Sequence, residues 1–363
     1  MPRVKFGVSL PSFAWPDLAP AHARGLRRFA QAAEERGFDT LWASEHLQVA
    51  PLIYNVSFLS PLPVLAHVAG CTTRIRVGTA VLLLPLRNPV ILAKEIATLD
   101  FLTEGRFVLG VGAGWDEKEF ELCGVPLGER AGRLDECLAI LRRLLTEEAV
   151  TFEGKYYRFR DVTIHPRPRR FPELWVGGGS KAADPAAADR PQLARSVLRR
   201  ICREADVWIS RPAVQQERIL SDLGEIRAAL QAEGRGPSEV GFAHLNFVHV
   251  VDTTHREKAL AVQRPLFERL MGTHRPFELL QQCYFVGTPD DIMERIRRFQ
   301  EAGLEYLVLT PLVADVEQLD LWVSKITSNV VSGRGSGTGS GATATGGGRA
   351  RAMRGSGGRR ASG

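Results

Sequence analysis

Eight short apolar runs recur along this chain at intervals that leave few folds open to it. They begin near Val4, Thr40, Ile75, Phe107, Glu173, Asp206, Val240 and Glu305, with successive gaps of 36, 35, 32, 66, 33, 34 and 65 residues. Five gaps fit one strand, a returning helix and the approach to the next strand; two are about twice as long. Near-continuous hydrophobic strands separated by helical stretches imply a parallel sheet covered on its faces. Eight of them predict an α/β fold, the TIM (β/α)8 barrel, with insertions after strands four and seven. An open, doubly wound sheet is the alternative, because spacing does not show closure.

Helix signals agree with this pattern. Ser60-Pro61, Asn88-Pro89 and Thr288-Pro289 each put an N-cap type before a proline at the first helical position, where the missing amide hydrogen costs nothing. Gly37, Gly105 and Gly303 stand where a left-handed C-cap is expected. Leu26, Phe29 and Ala33, and likewise Ile292, Ile296 and Phe299, share one helical face and are expected in the core. The first insertion, residues 150–170, reads as a hairpin turning at Glu153-Gly154, and the second, residues 252–285, as mostly helical.

The barrel domain is expected over residues 1–330, followed by a disordered Gly/Arg/Ser-rich tail over 331–363. The last 31 residues hold twelve Gly and six Arg, no acid, and one bulky apolar side chain, Met353, too little to offset the entropy of ordering. That tail accounts for the net charge of +6, since the remainder carries 41 basic and 41 acidic groups. A neutral body argues against a nucleic-acid footprint. Five scattered cysteines without a CxxC pair suit reduced thiols in a cytoplasmic protein. The strand-like start at Val4 predicts no signal peptide, and no apolar stretch has the length of a membrane span.

In such a barrel the reactive groups stand at the carboxyl ends of the strands. The rule selects Phe13 and Trp15 after strand one, Glu45 and His46 after strand two, and Arg87 after strand three. Trp115 follows strand four, Gly177, Gly178, Gly179 and Ser180 follow strand five, and Arg211 follows strand six. His46 is the candidate for catalytic proton transfer, and Glu45 is equally suited to a ligand's polar edge or to an ion pair with an arginine. The glycine run lets backbone amides approach an anion, with the Ser180 hydroxyl beside them. Gly110–Gly114 is not a dinucleotide fingerprint, and no phosphate-binding GxxxxGK[ST] loop, HExxH or GxSxG occurs. No metal site is expected. A mouth with one histidine, a glycine turn and tryptophans suits an organic cofactor that carries the chemistry.

Residues 4–326 resemble the luciferase-like oxidoreductases. The resemblance rests on Gly37–Trp42, Ser44-Glu45-His46, Arg87-Asn88-Pro89, Ala97–Arg106 and Gly110–Trp115. It continues through Glu129-Arg130, Arg133–Glu136, Pro166-Arg167-Pro168 and Phe285–Pro289. It implies the same barrel with insertions, and an oxidoreductase that binds coenzyme F420, which we favour, or FMN. It places His46 beside the reactive edge of the ring, Glu45 on the cofactor, a non-proline cis bond at Ala80-Val81 against the ring, and the phosphate at Gly178, Gly179 and Ser180. Phe13, Trp15 and Trp115 would line the substrate pocket, and a homodimer is implied. Some sugar-phosphate dehydrogenases of the family carry a catalytic Glu where this chain has Trp115, which argues against that mechanism here. Hydride transfer to or from a small organic substrate is the leading function. An O2-using, FMN-dependent monooxygenase and a non-catalytic flavin-binding barrel are the alternatives.

Overall fold

The computed structural model describes residues 3–14, 19–50, 53–180 and 193–332; Trp15 and the chain from residue 333 onward, where the tail is expected, lie outside the described residues. Strands β1 (Lys5–Ser9), β2 (Thr40–Ala43), β3 (Arg76–Thr79) and β4 (Phe107–Gly112) pair in order. They are followed by β5 (Glu173–Gly177), β6 (Val207–Ser210), β7 (Gly241–Val248) and β8 (Tyr306–Pro311). Every neighbour is parallel, β4 pairs with β5, and β8 returns to β1 with Val8 opposite Leu309. The sheet is a closed (β/α)8 barrel, which removes the open-sheet alternative.

Residue pattern decides which face each strand turns inward. On β7, Ala243, Leu245 and Phe247 join the interior cluster with Trp42, Val108, Trp175 and Tyr306, while Phe242 and Val248 join the outer layer under the helices, as a period of two requires. Trp42 and Trp175 pack at 4.4 Å, and Trp175 meets Tyr306 edge-on at 4.8 Å. Below these rings the floor is polar: Arg76 pairs with Glu173 at 2.5 Å, and the Tyr306 hydroxyl donates to Asp39 at 2.9 Å. The rings and the ion pair pack the middle and the amino-terminal floor of the barrel, and (β/α)8 barrels place their sites at the carboxyl-terminal mouth.

The outer layer comprises α1 (Ala21–Glu35), α2 (Pro61–Ala69), α3 (Pro89–Leu102), α4 (Glu117–Leu122) and α5 (Arg130–Thr146). It continues with α6 (Arg195–Glu204), α7 (Gln216–Ala232), α8 (Arg256–Met271), α9 (Phe277–Cys283) and α10 (Pro289–Glu301). Asn88 caps α3 by accepting from Val90 and Ile91, and Thr288 forms a full capping box with Asp291. Ser60 differs: it precedes α2 but its hydroxyl makes no cap bond, and the proline rather than the serine starts that helix. Leu26, Phe29, Ala33, Ile292, Ile296 and Phe299 are all buried. Among the described residues no helix is long and apolar enough to cross a membrane.

The two insertions take different places. The hairpin Val150–Glu153/Arg158–Val162 lies along α5, where Glu136 accepts from the amides of Lys155 and Tyr156 at its turn. It reaches towards the mouth through the Tyr157 hydroxyl, 3.4 Å from the Arg87 carbonyl. Helices α8 and α9 instead roof the mouth: Leu270, Met271, Phe277 and Tyr284 share a cluster with Phe13, Ala80 and Phe247.

Candidate active site

His46 stands just past β2, its side chain only 9% exposed. Its Nδ1 lies 3.1 Å from Glu119 Oε1, which also accepts the Leu47 amide at 2.7 Å. Glu119 Oε1 is thus placed to accept an Nδ1 proton and fix the ring, which leaves Nε2 as the nitrogen able to give or take a proton. Rings of Phe58, Tyr54 and Trp115 surround the imidazole at 5.3, 5.4 and 5.7 Å. Glu119 itself is buried, and its Oε2 has no hydrogen-bond partner. It sits on α4, whose start is set by Asp116 accepting from the Lys118 amide at 3.1 Å.

Glu45 takes the ion-pair option that the sequence left open. One buried carboxylate oxygen accepts from the partly exposed Arg87 and the other from the Leu83 amide at 2.6 Å. The carboxylate thus ties the end of strand three to the loop after β2. Between them the Ala80–Val81 peptide bond is cis, and the Ser44 hydroxyl donates to the Ala80 carbonyl at 3.0 Å. Val81 projects between β4 and β5: a Cβ on Gly112 would lie 2.6 Å from it, and one on Gly177 3.0 Å. Glycine at both positions gives this side chain its place at the mouth.

The glycine turn after β5 is half-buried, and Ser180 differs from expectation. Its amide donates to Asp222 Oδ2 at 2.8 Å and its hydroxyl donates to Asp222 Oδ1, both groups buried. Ser180 anchors the turn to α7 rather than presenting its hydroxyl to an anion. A cation stands there instead. Arg211, at the end of β6, has its Nε 3.9 Å from where a Gly179 Cβ would be. Among the described residues its Nε and Nη2 are buried without partners, and burial pushes its pKa down while Asp222 pulls the other way. Buried donors left unmatched are costly, so this guanidinium fits an anionic group resting on Gly178 and Gly179.

Phe13 is buried and meets Phe58 edge-on at 6.0 Å; Trp115 is 46% exposed, on the solvent side of His46. The mouth therefore brings together a histidine–carboxylate pair, a bent strand, a guanidinium beside the glycine turn and an aromatic wall. A sequence model described as luciferase-like monooxygenase matches residues 4–306. The chain belongs to that family.

Like other family members it is an oxidoreductase. It is 31% identical over 340 residues to an F420-dependent glucose-6-phosphate dehydrogenase of Nakamurella multipartita, covering 85% of this chain and 90% of the relative. A glucose-6-phosphate dehydrogenase of Microbacterium testaceum, also F420-dependent, is 29% identical over 81% of this chain and 89% of its own length. Monooxygenase RslO1 of Streptomyces bottropensis superposes with TM-score 0.71 at 23% identity, over 90% of this chain and 99% of that one. An F420-dependent secondary alcohol dehydrogenase, solved with an F420-acetone adduct, superposes with TM-score 0.70 at 20% identity, over 89% and 98%. The two superpositions establish the shared barrel.

Two residues of this luciferase-like site escaped sequence reasoning. Of the acids that follow Trp115, Asp116 and Glu117 stay partly or fully exposed; the inward one is Glu119, flagged only by its neighbour, the fully buried Phe120. Asp222 interrupts the buried stripe Ile219, Leu223 and Ile226 of α7. A carboxylate inside an apolar stripe was the available signal.

Proposed function

We propose that this luciferase-like oxidoreductase transfers a hydride between coenzyme F420 and a small organic substrate at the carboxyl-terminal mouth. The observation that carries the reading is the His46–Glu119 pair held in an aromatic wall, on the same mouth as the Val81 bend and the Arg211 corner. When bound, the deazaflavin supplies the hydride-carrying carbon, and FMN in the same place would supply flavin redox chemistry. Gly178, Gly179 and Arg211 would hold the anionic tail, with Val81 against the ring. His46 exchanges the substrate's proton at Nε2, and Glu119 keeps the imidazole turned for that exchange. Glu45, occupied by Arg87 and Leu83, holds the bend in place. Phe13, Tyr54, Phe58 and Trp115 exclude water, and Trp115 leaves no carboxylate at the place where some sugar-phosphate dehydrogenases of the family carry one.

A small-molecule partner and a cytoplasmic homodimer complete the reading. The five cysteines are all free, which suits a reducing compartment, and the dimer rests on the family resemblance.

The test is to titrate coenzyme F420 and FMN side by side, following fluorescence quenching. Saturable binding of the deazaflavin is expected, weakened about tenfold or more in Arg211→Gln. His46→Ala should bind within about an order of magnitude of the parent yet turn over roughly 100-fold more slowly. Tight uptake with no reduction by any donor would favour the non-catalytic barrel, and binding of FMN alone would favour the monooxygenase.

A further inference from the structure

Apolar side chains gather on the outer surface beside His46. Among the described residues eight large apolar side chains are exposed, and four of them, Leu47, Val49, Trp115 and Leu122, lie on the two segments that flank this histidine. Leu47 is 48% exposed, Val49 42% and Trp115 46%. Ile91, Phe101 and Leu102 belong instead to α3, and Val262 to α8. Single exposed apolar residues are ordinary, but a group of them rimmed by polar ones marks a place where another apolar surface rests.

The two segments are cross-tied. The Leu47 amide donates to Glu119 at 2.7 Å, Gln48 Nε2 donates to Asp116 at 3.4 Å, and the Trp115 ring meets the His46 imidazole at 5.7 Å. Ala50 pairs with Tyr54, whose ring is 5.4 Å from the same imidazole. The exposed side chains thus extend the aromatic wall of His46 to the surface. Their surroundings decide what can rest on them. The start of α4 and its first turns carry Asp116, Glu117 and Glu121 against one cation, Lys118. A negative rim repels a phosphate, a carboxylate or an acidic bilayer, whereas an uncharged apolar chain meets no such penalty.

We propose that the substrate of this site is an uncharged molecule with an apolar chain, which leaves the mouth past His46 and lies across Leu47, Val49 and Trp115. The inference rests on the reading above, in which His46 marks the reacting end, and it names the class of molecule to which that end belongs. Covering the three side chains removes apolar surface from water on both partners, so affinity grows with the length of the chain.

The experiment uses the full chain and a series of neutral probes, butan-1-ol, hexan-1-ol, octan-1-ol and decan-1-ol. Dissociation constants are measured calorimetrically on cofactor-free and on F420-saturated protein. Affinity should rise about twofold or more for each added methylene up to decan-1-ol. Octanoate should bind F420-saturated protein several-fold more weakly than octan-1-ol, as the acidic rim requires. Leu47→Ser with Val49→Ser, and separately Trp115→Ala, should flatten the rise, whereas Phe101→Ser, on the exposed face of α3, should keep it. A flat series in the parent, an undiminished rise in either variant, or octanoate bound as tightly as octan-1-ol overturns the proposal. Should Trp115→Ala fail to fold, the pair at Leu47 and Val49 decides alone. Flotation with phosphatidylcholine vesicles that this pair of substitutions abolishes would give the patch to a membrane, and would overturn the proposal as well. Should F420 fail to bind, the hydride-transfer reading falls, while the cofactor-free series still decides the patch.

Discussion

Glu119 meets His46 because a helix that starts after β4 turns its third residue inward, beneath the loop that follows β2. A buried carboxylate on an imidazole Nδ1 fixes which nitrogen faces the substrate, and this role needs a charge as well as a shape. Glu119→Gln keeps an oxygen for the Leu47 amide but removes that charge. Turnover should fall about tenfold with substrate KM nearly unchanged, measured by steady-state kinetics. A change confined to KM would mean that Glu119 shapes the pocket and does not position His46. At this scale the sequence exposed His46, whose residue type and place at a strand end are both local facts. It left Glu45 undecided and hid Glu119, because the partner of a side chain 73 residues away is not written in its neighbours.

The crossing of β3 and β4 shows what an element demands of its residues. Thr79 Oγ1 donates to the Gly110 carbonyl at 2.7 Å and accepts its amide at 3.0 Å. A Cβ on Gly110 would lie 1.9 Å from the Thr79 carbonyl oxygen, so the backbones themselves would have to part. Gly110→Ala should cost about 3 kcal/mol or more in urea unfolding; an unchanged midpoint would show that the crossing can relax. Thr288 and Asn88 were readable as caps because each bonds within its own first turn. The hairpin was readable for the same reason. Its position along α5 was not, since Glu136 meets it only after the helix has packed.

Over the whole molecule, closure of the barrel buries His244 on the outer face of β7. Ser210 Oγ and Asn246 Nδ2 hold its two nitrogens at 2.8 and 2.9 Å, and burial lowers its pKa from 6.5 to about 3. The unfolded chain therefore binds the proton that the folded chain refuses. The stability linked to this group is complete above about pH 6.5 and is lost as pH falls from there towards 3, by up to about 1.4 kcal/mol per pH unit. The stability advantage of the parent over His244→Asn, from urea unfolding, should accordingly shrink between pH 7 and pH 5; a constant difference would contradict it. The amino-acid order by itself determined the count and spacing of the barrel strands, the caps at Asn88 and Thr288, the family and the titratable group at the mouth. These depend on period, residue type and neighbours a few positions apart. Only the folded chain decided that the sheet closes, that Asp222 occupies Ser180, and that Arg211 stands at the glycine turn with Nε and Nη2 unmatched among the described residues. Each of those facts joins groups from distant strands and helices, and such pairings exist only after long-range packing has brought them together.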